Sequence, residues 1–117
     1  MENYNGPERR KYPRLNASFI VSYQVKEPPS DFDLSQTKDL SQGGLLLTTN
    51  KEFEPGTILV MTLRFPFVEE KIEIEGQVVS SEQKVKNLIY ETHIKFKTSD
   101  EDFLKKIGEF VKEALKK

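Results

Sequence analysis

Apolar and polar residues alternate along most of this chain, and the period of the alternation changes once, near Ser99. In "ASFIVSYQV", Phe19, Val21, Tyr23 and Val25 fall on one face and Ser22, Gln24 and Lys26 mainly on the other, which is the pattern of a half-buried strand. Two prolines in "KEPPSDFD" interrupt it and lead into a second strand expected to end near Lys38. "DLSQGG" then predicts a turn. "LLLTT" follows and, past the turn signal "EPGT", come "ILVMTLRF", "KIEIEGQVVSS" and "LIYETHIKFK", each alternating and bounded by polar or turn residues. Six short strands make the chain mainly β, an antiparallel barrel or sandwich. From Ser99 the apolar positions Phe103, Leu104, Ile107, Phe110, Val111, Ala114 and Leu115 recur with helical spacing. Ser99 is the expected N-cap, with Asp102 completing a capping box. The apolar face of this helix is expected to cover an open end or side of the barrel, or else to serve a partner or dimer contact.

Length and charge narrow this picture. The chain has 117 residues, enough for one domain with a real core. Residues 1–8, "MENYNGPE", have no apolar periodicity and are expected to be a flexible lead-in. A single domain is expected over 9–117, with the barrel at about 15–98 and the helix at about 100–116. The formal net charge is −1, so no global basic field points to duplex nucleic acid or an anionic membrane. Any anion site must be local. The chain has no cysteine, which removes disulfides and thiolate chemistry. No apolar run has the length of a bilayer span or a signal core, and a cytoplasmic location without membrane insertion is expected.

An enzyme is not expected. His93 is the only histidine and stands in the alternating segment "YETHIKF". No second imidazole or thiol is present to build a nucleophile relay or a three-ligand metal site. Glu69, Glu70, Glu73 and Glu75 read as the soluble edge of a strand. No catalytic residue, metal or cofactor is assigned.

Two short segments carry more chemistry. "RRKYPR" places Arg9, Arg10, Lys11 and Arg14 around Pro13, which disfavours a helical Tyr12 and so disfavours a helix here. Guanidinium forks match phosphate oxygens and the O6/N7 edge of guanine, and their flat faces stack on purines. Taken alone the segment is a solvated basic arm or an anion clamp. In "DLSQGG", Asp39 can accept from guanine N1 and N2, the Ser41 hydroxyl can donate to phosphate or orient Asp39, and Gly43 and Gly44 permit close backbone approach. The other reading is an Asp-initiated tight turn with left-handed glycines.

Together, the Arg-x-x-x-Arg of Arg10 and Arg14 and the Asp-x-Ser-x-x-Gly of Asp39, Ser41 and Gly44 resemble the PilZ domain family. The proline-glycine turn of "EPGTILVMTLRF" and the strand "IEGQVVSS" agree, and the resemblance runs from residue 9 to about 97, with a terminal helix also common in such proteins. It implies a six-stranded antiparallel barrel binding cyclic di-GMP, a bacterial second messenger. Arg10 and Arg14 would hold guanine edges and phosphates, and Asp39, Ser41 and Gly44, beside Gly43, would line the barrel side of the pocket. Arg9 holds the position that influences whether one ligand or a stacked pair is bound. His93 departs from the pattern, standing where glycine is usual; its side chain faces either the ligand surface or solvent.

The implied role is a receptor or adaptor in motility or biofilm regulation, whose ligand orders the arginine arm and changes a surface. With no effector domain in the chain, that surface is expected to act on a protein target or by homodimerisation. The rival is a ligand-independent interaction module in motility or pilus assembly. An oligonucleotide-binding barrel is weaker, because no aromatic-basic strip runs along the strands.

Overall fold

The computed structural model describes residues 13–64 and 69–116. Antiparallel strands form a single sheet in the order β1-β3-β2-β5-β6-β7-β4, and a further pairing of β3 with β4 closes it into a barrel. The strands are β1 (Arg14–Asn16), β2 (Ile20–Val25), β3 (Asp33–Ser41), β4 (Gly44–Thr49), β5 (Ile58–Leu63), β6 (Ile72–Val85) and β7 (Ile89–Lys97), followed by α1 (Glu101–Leu115). The expected closed six-strand barrel with one C-terminal helix is present.

β1 is an addition to the expected strands. It pairs with β3 through Arg14↔Ser41 and Asn16↔Asp39, on the edge that β2 occupies further along through Ile20↔Gln36. One barrel position is therefore filled by two pieces of chain. Thr37 bridges the break: its buried hydroxyl donates to the Ala17 carbonyl at 2.7 Å and accepts from the Phe19 amide at 2.9 Å. These bonds satisfy backbone groups that a broken ladder would leave unpaired.

The same pairing lengthens β3. Asp39, Leu40 and Ser41, expected in a turn, lie in the strand because β1 supplies their ladder partners. Only Gln42 and Gly43 connect β3 to β4. β6 likewise runs beyond the expected end at Ser81 to Val85, and the hairpin turns at Asn87, whose φ is 60°. Asparagine tolerates this left-handed conformation better than most residues. The "EPGT" turn forms as expected: the Thr57 amide donates to the Glu54 carbonyl at 3.1 Å, and Gly56 has a φ of 95°.

Inward-facing side chains fill the barrel, including Val21, Leu40, Leu47, Leu59, Met61, Leu63 and Val78. Tyr23 joins them with its ring edge-on to Phe53, and burial, with Asp33 opposite it in the ladder, pushes its hydroxyl up to about 12. Ile107 and Val111 of α1 belong to the same core, and the helix packs on β1 and β3. Of the expected apolar face, Leu115 at its end remains exposed. Gly108 packs so closely against the Gln42 side chain that a residue with a Cβ there would require Gln42 to swing aside. The helix thus braces the turn between β3 and β4.

The N-cap is Asp100, not Ser99. Asp100 Oδ1 accepts from the Phe103 amide at 3.0 Å, and Glu101 and Asp102 occupy the first turn, where they favour the positive end of the helix dipole. Asp100→Ala is expected to cost about 1 kcal/mol. Ser99→Ala should cost under about 0.5 kcal/mol. Urea denaturation of both variants separates the assignments; equal losses would reject the Asp100 cap.

Candidate functional site

On β3, β4 and β7 the residues Leu40, Leu45, Leu47, Thr92 and Ile94 are buried in the barrel. Strand alternation then turns Asp39, Ser41, His93 and Lys95 to the outer face, with Leu46 on that face but buried there. Ladder registers align these positions into rows. Asn16, Asp39, Leu46, His93 and Ser80 lie side by side across β1, β3, β4, β7 and β6. One step along, Arg14 pairs with Ser41, and Gly44 with Lys95 and then Gln77. Neighbouring strands are about 4.8 Å apart and alternate residues about 6.6 Å apart, so the rows form a floor of small-molecule size.

A concavity of about 220 Å³ sits on this floor, lined by Arg14, Asp39, Ser41, Gly43, Gly44, Leu45, Val79, His93, Ile94 and Lys95. It joins the one arginine of the basic segment that is described with every candidate of "DLSQGG". Arg9 and Arg10 lie outside the described residues, as does the expected lead-in.

Local chemistry explains the shape of the turn. Ser41 Oγ accepts from the Gly43 amide at 3.2 Å and donates to the Gly44 carbonyl at 3.4 Å. Its hydroxyl therefore holds the turn and is not bonded to Asp39, one of the roles left open by the sequence. The Gly43 carbonyl accepts from the Phe96 amide at 2.8 Å, tying the turn to β7. Gly44 is required by close approach and not by a left-handed φ: a Cβ would meet the Ile94 carbonyl oxygen and lie 2.8 Å from Lys95 Cα.

Among the described residues of the lining, Asp39 is the only carboxylate, against the cations Arg14 and Lys95. No ion pair among the described residues involves Arg14 or Lys95. The pocket can therefore offer two cationic side chains to an anion and a carboxylate to donors such as guanine N1 and N2. Among the described residues there is no cluster able to hold a metal ion and no helix long and apolar enough to cross a membrane.

His93 occupies this floor, which answers where its side chain lies: Ser80 Oγ and His93 Nδ1 are 3.2 Å apart. Lys95 was missed in the sequence, although its spacing from His93 along one strand face would have found it. Val79 was missed for another reason. A register shift between Val78 and Ser80 makes it the extra residue of a bulge and leaves it 52% exposed at the rim. The only sequence trace is the pair of adjacent valines breaking the alternation.

A small antiparallel barrel with a pocket on its outer wall, lined by the cations Arg14 and Lys95 and the carboxylate of Asp39, is the class that this geometry defines. The PilZ domain family model matches residues 8–113, and the chain belongs to that family. Solved structures of similar fold include the Bacillus subtilis inhibitor of motility MotI/DgrA, with a TM-score of 0.75 and 21% identity over 94% of this chain and 53% of that one. The PilZ domain of Escherichia coli YcgR, solved with cyclic di-GMP, has a TM-score of 0.68 and 16% identity over 89% of both chains. MrkH of K. pneumonia, in its complex with cyclic di-GMP, has a TM-score of 0.70 and 19% identity over 92% of this chain and 53% of that one. The chain thus spans about half the length of MotI/DgrA and of MrkH. No curated protein matches the sequence.

Proposed function

We propose that this protein is a cyclic di-GMP receptor that acts as an adaptor. The observation that carries the reading is the convergence of Arg14 with Asp39, Ser41, Gly43 and Gly44 around one concavity of a PilZ barrel. The cyclic di-GMP held by the PilZ domain of YcgR and by MrkH supports the choice of ligand. In this reading Arg14 engages a phosphate or a guanine edge, and Asp39 accepts from guanine N1 and N2. Binding draws Arg10 onto the ligand from the segment before β1, and Arg9 stacks on a second guanine where a ligand pair is bound. Charge-assisted hydrogen bonds contribute on the order of 1.5–3 kcal/mol each. Micromolar affinity requires about 8 kcal/mol, so three or four contacts plus stacking suffice after ordering costs.

The closed arm and the barrel wall would form the surface read by a protein target. Ile20 and Leu34, 57% and 74% exposed, give the outer wall of β2 and β3 an apolar patch suited to such a contact. Calorimetric titration with cyclic di-GMP, GMP and a short single-stranded oligonucleotide tests the reading. Cyclic di-GMP should bind in preference to both competitors, and Arg10→Ala and Arg14→Ala should each weaken it by about tenfold or more, the loss of roughly one good contact. Absence of cyclic di-GMP binding would reject the receptor reading and leave the ligand-independent module; unchanged affinity in both variants would reject the arginine assignments.

A further inference from the structure

We propose that the His93 imidazole is a ligand-contacting residue of the pocket, and that it makes cyclic di-GMP bind more tightly as the pH falls from about 8 to 6. The proposal rests on the cyclic di-GMP reading above and adds a residue and a regulation to it. Three observations support it.

His93 lies in the same row as Asp39, with Leu46 of β4 between them. At about 4.8 Å per strand the two side chains stand roughly 10 Å apart on the floor of one concavity, a span that a nucleotide can bridge. The ring is also held. Ser80 Oγ engages Nδ1 at 3.2 Å, leaving Nε2 as the ring nitrogen open to a ligand. When Ser80 donates to Nδ1 of the neutral ring, the proton sits on Nε2; when the ring is protonated, Ser80 accepts and Nε2 still donates. In both states Nε2 offers a hydrogen to a phosphate oxygen or to guanine O6 or N7, and protonation strengthens that bond by adding charge.

The surrounding charges set the balance. On β7, Glu91 and Lys95 flank His93 on the same face of the strand. The Lys38 hydrogen bond, at 2.8 Å, is the main cause holding the Glu91 carboxyl below its usual range. β4 places only the apolar Leu46 opposite His93, and β6 places Ser80 there, with Glu82 further along opposite Glu91. β3 contributes Asp39 and Lys38, and β1 contributes Arg14. The anionic ligand adds two negative charges to this mixed field and shifts it towards favouring the imidazolium.

By linkage, if the complex holds the proton more tightly than the free protein does, the protonated protein must hold the ligand more tightly by the same factor. Calorimetry at pH 6, 7 and 8 and constant ionic strength should show cyclic di-GMP affinity in the unmodified protein rising about five- to tenfold towards pH 6, the effect of up to one unit of coupling. His93→Gln keeps a neutral donor at similar reach and should lose the pH dependence, binding about twofold more weakly than wild type at pH 8 and, as wild type alone tightens, about ten- to twentyfold more weakly at pH 6. Ser80→Ala, which frees the ring, should weaken binding at all three values. His93 is the only histidine, so its imidazole proton signal can be followed alone by NMR. Saturating ligand should move the midpoint of that titration upward. Binding without pH dependence, pH dependence that survives in His93→Gln, or an unmoved midpoint in the complex would each overturn the proposal while leaving the receptor reading intact. Failure of wild type to bind at any of the three values would overturn both.

Discussion

Gly44→Ala is expected to destabilise the barrel by about 3 kcal/mol, moving the urea midpoint down by on the order of 1–2 M. The cause is a contact between backbones and not a conformational preference. A methyl at Gly44 would run into the Ile94 carbonyl oxygen and come within 2.8 Å of Lys95 Cα, atoms that belong to the β4–β7 ladder. Neither can rotate away as a flexible side chain would, so the two strands must separate where the ladder begins. Gly56→Ala is the matched control, because its φ of 95° disfavours alanine but no atom lies within 4 Å of the added carbon. It should cost only about 1 kcal/mol. A Gly44→Ala loss no larger than that of Gly56→Ala would mean that β4 and β7 do not approach as described. Because Gly44 also lines the pocket, loss of ligand binding in its variant would report the fold and not a contact.

The barrel was legible because period two survives wherever one face is buried. Val21 and Tyr23 are buried, as the spacing of their segment requires, and the helical face from Phe103 to Val111 docks on the barrel through Ile107 and Val111. The ends of elements were less legible, since long-range partners decide them. Asp39 and Ser41 carry strong turn propensity, yet three residues of β1 hold them in a strand, and no local pattern announces a partner about two dozen positions away. Asp100 prevailed over Ser99 as the N-cap for a similar reason: both residue types cap helices, and one residue of register separates them.

The chemistry of the site was legible through residue type, and its geometry was not. Arginines, an aspartate and a glycine pair imply an anion or guanine site, but neither spacing nor composition shows that the β7 face carrying His93 and Lys95 joins the floor that carries Asp39 and Ser41. That follows from the registers Leu46↔His93 and Gly44↔Lys95, which are tertiary facts. The bulge at Val79 is harder still to foresee, because an extra residue in one strand is accommodated by the local twist and needs no special side chain.

Leu40→Ala is expected to lower stability by about 2–5 kcal/mol, the range for deleting a large side chain that cannot be replaced by collapse of its surroundings. Leu40 is 0% exposed and stands between Asp39 and Ser41, opposite Leu15 on one side and Leu45 on the other. It is the inward half of the segment whose outward half lines the pocket. Leu34, on the same strand but 74% exposed, makes a suitable comparison, and Leu34→Ala should remain within about 0.5 kcal/mol of wild type. Urea denaturation measures both, with an unchanged slope showing that the unfolded reference is the same. Two substitutions identical in chemistry should therefore differ by at least about 1.5 kcal/mol according to the face they occupy. Equal effects would contradict the inward orientation of Leu40, and with it the outward orientation of Asp39 and Ser41 on which the pocket depends.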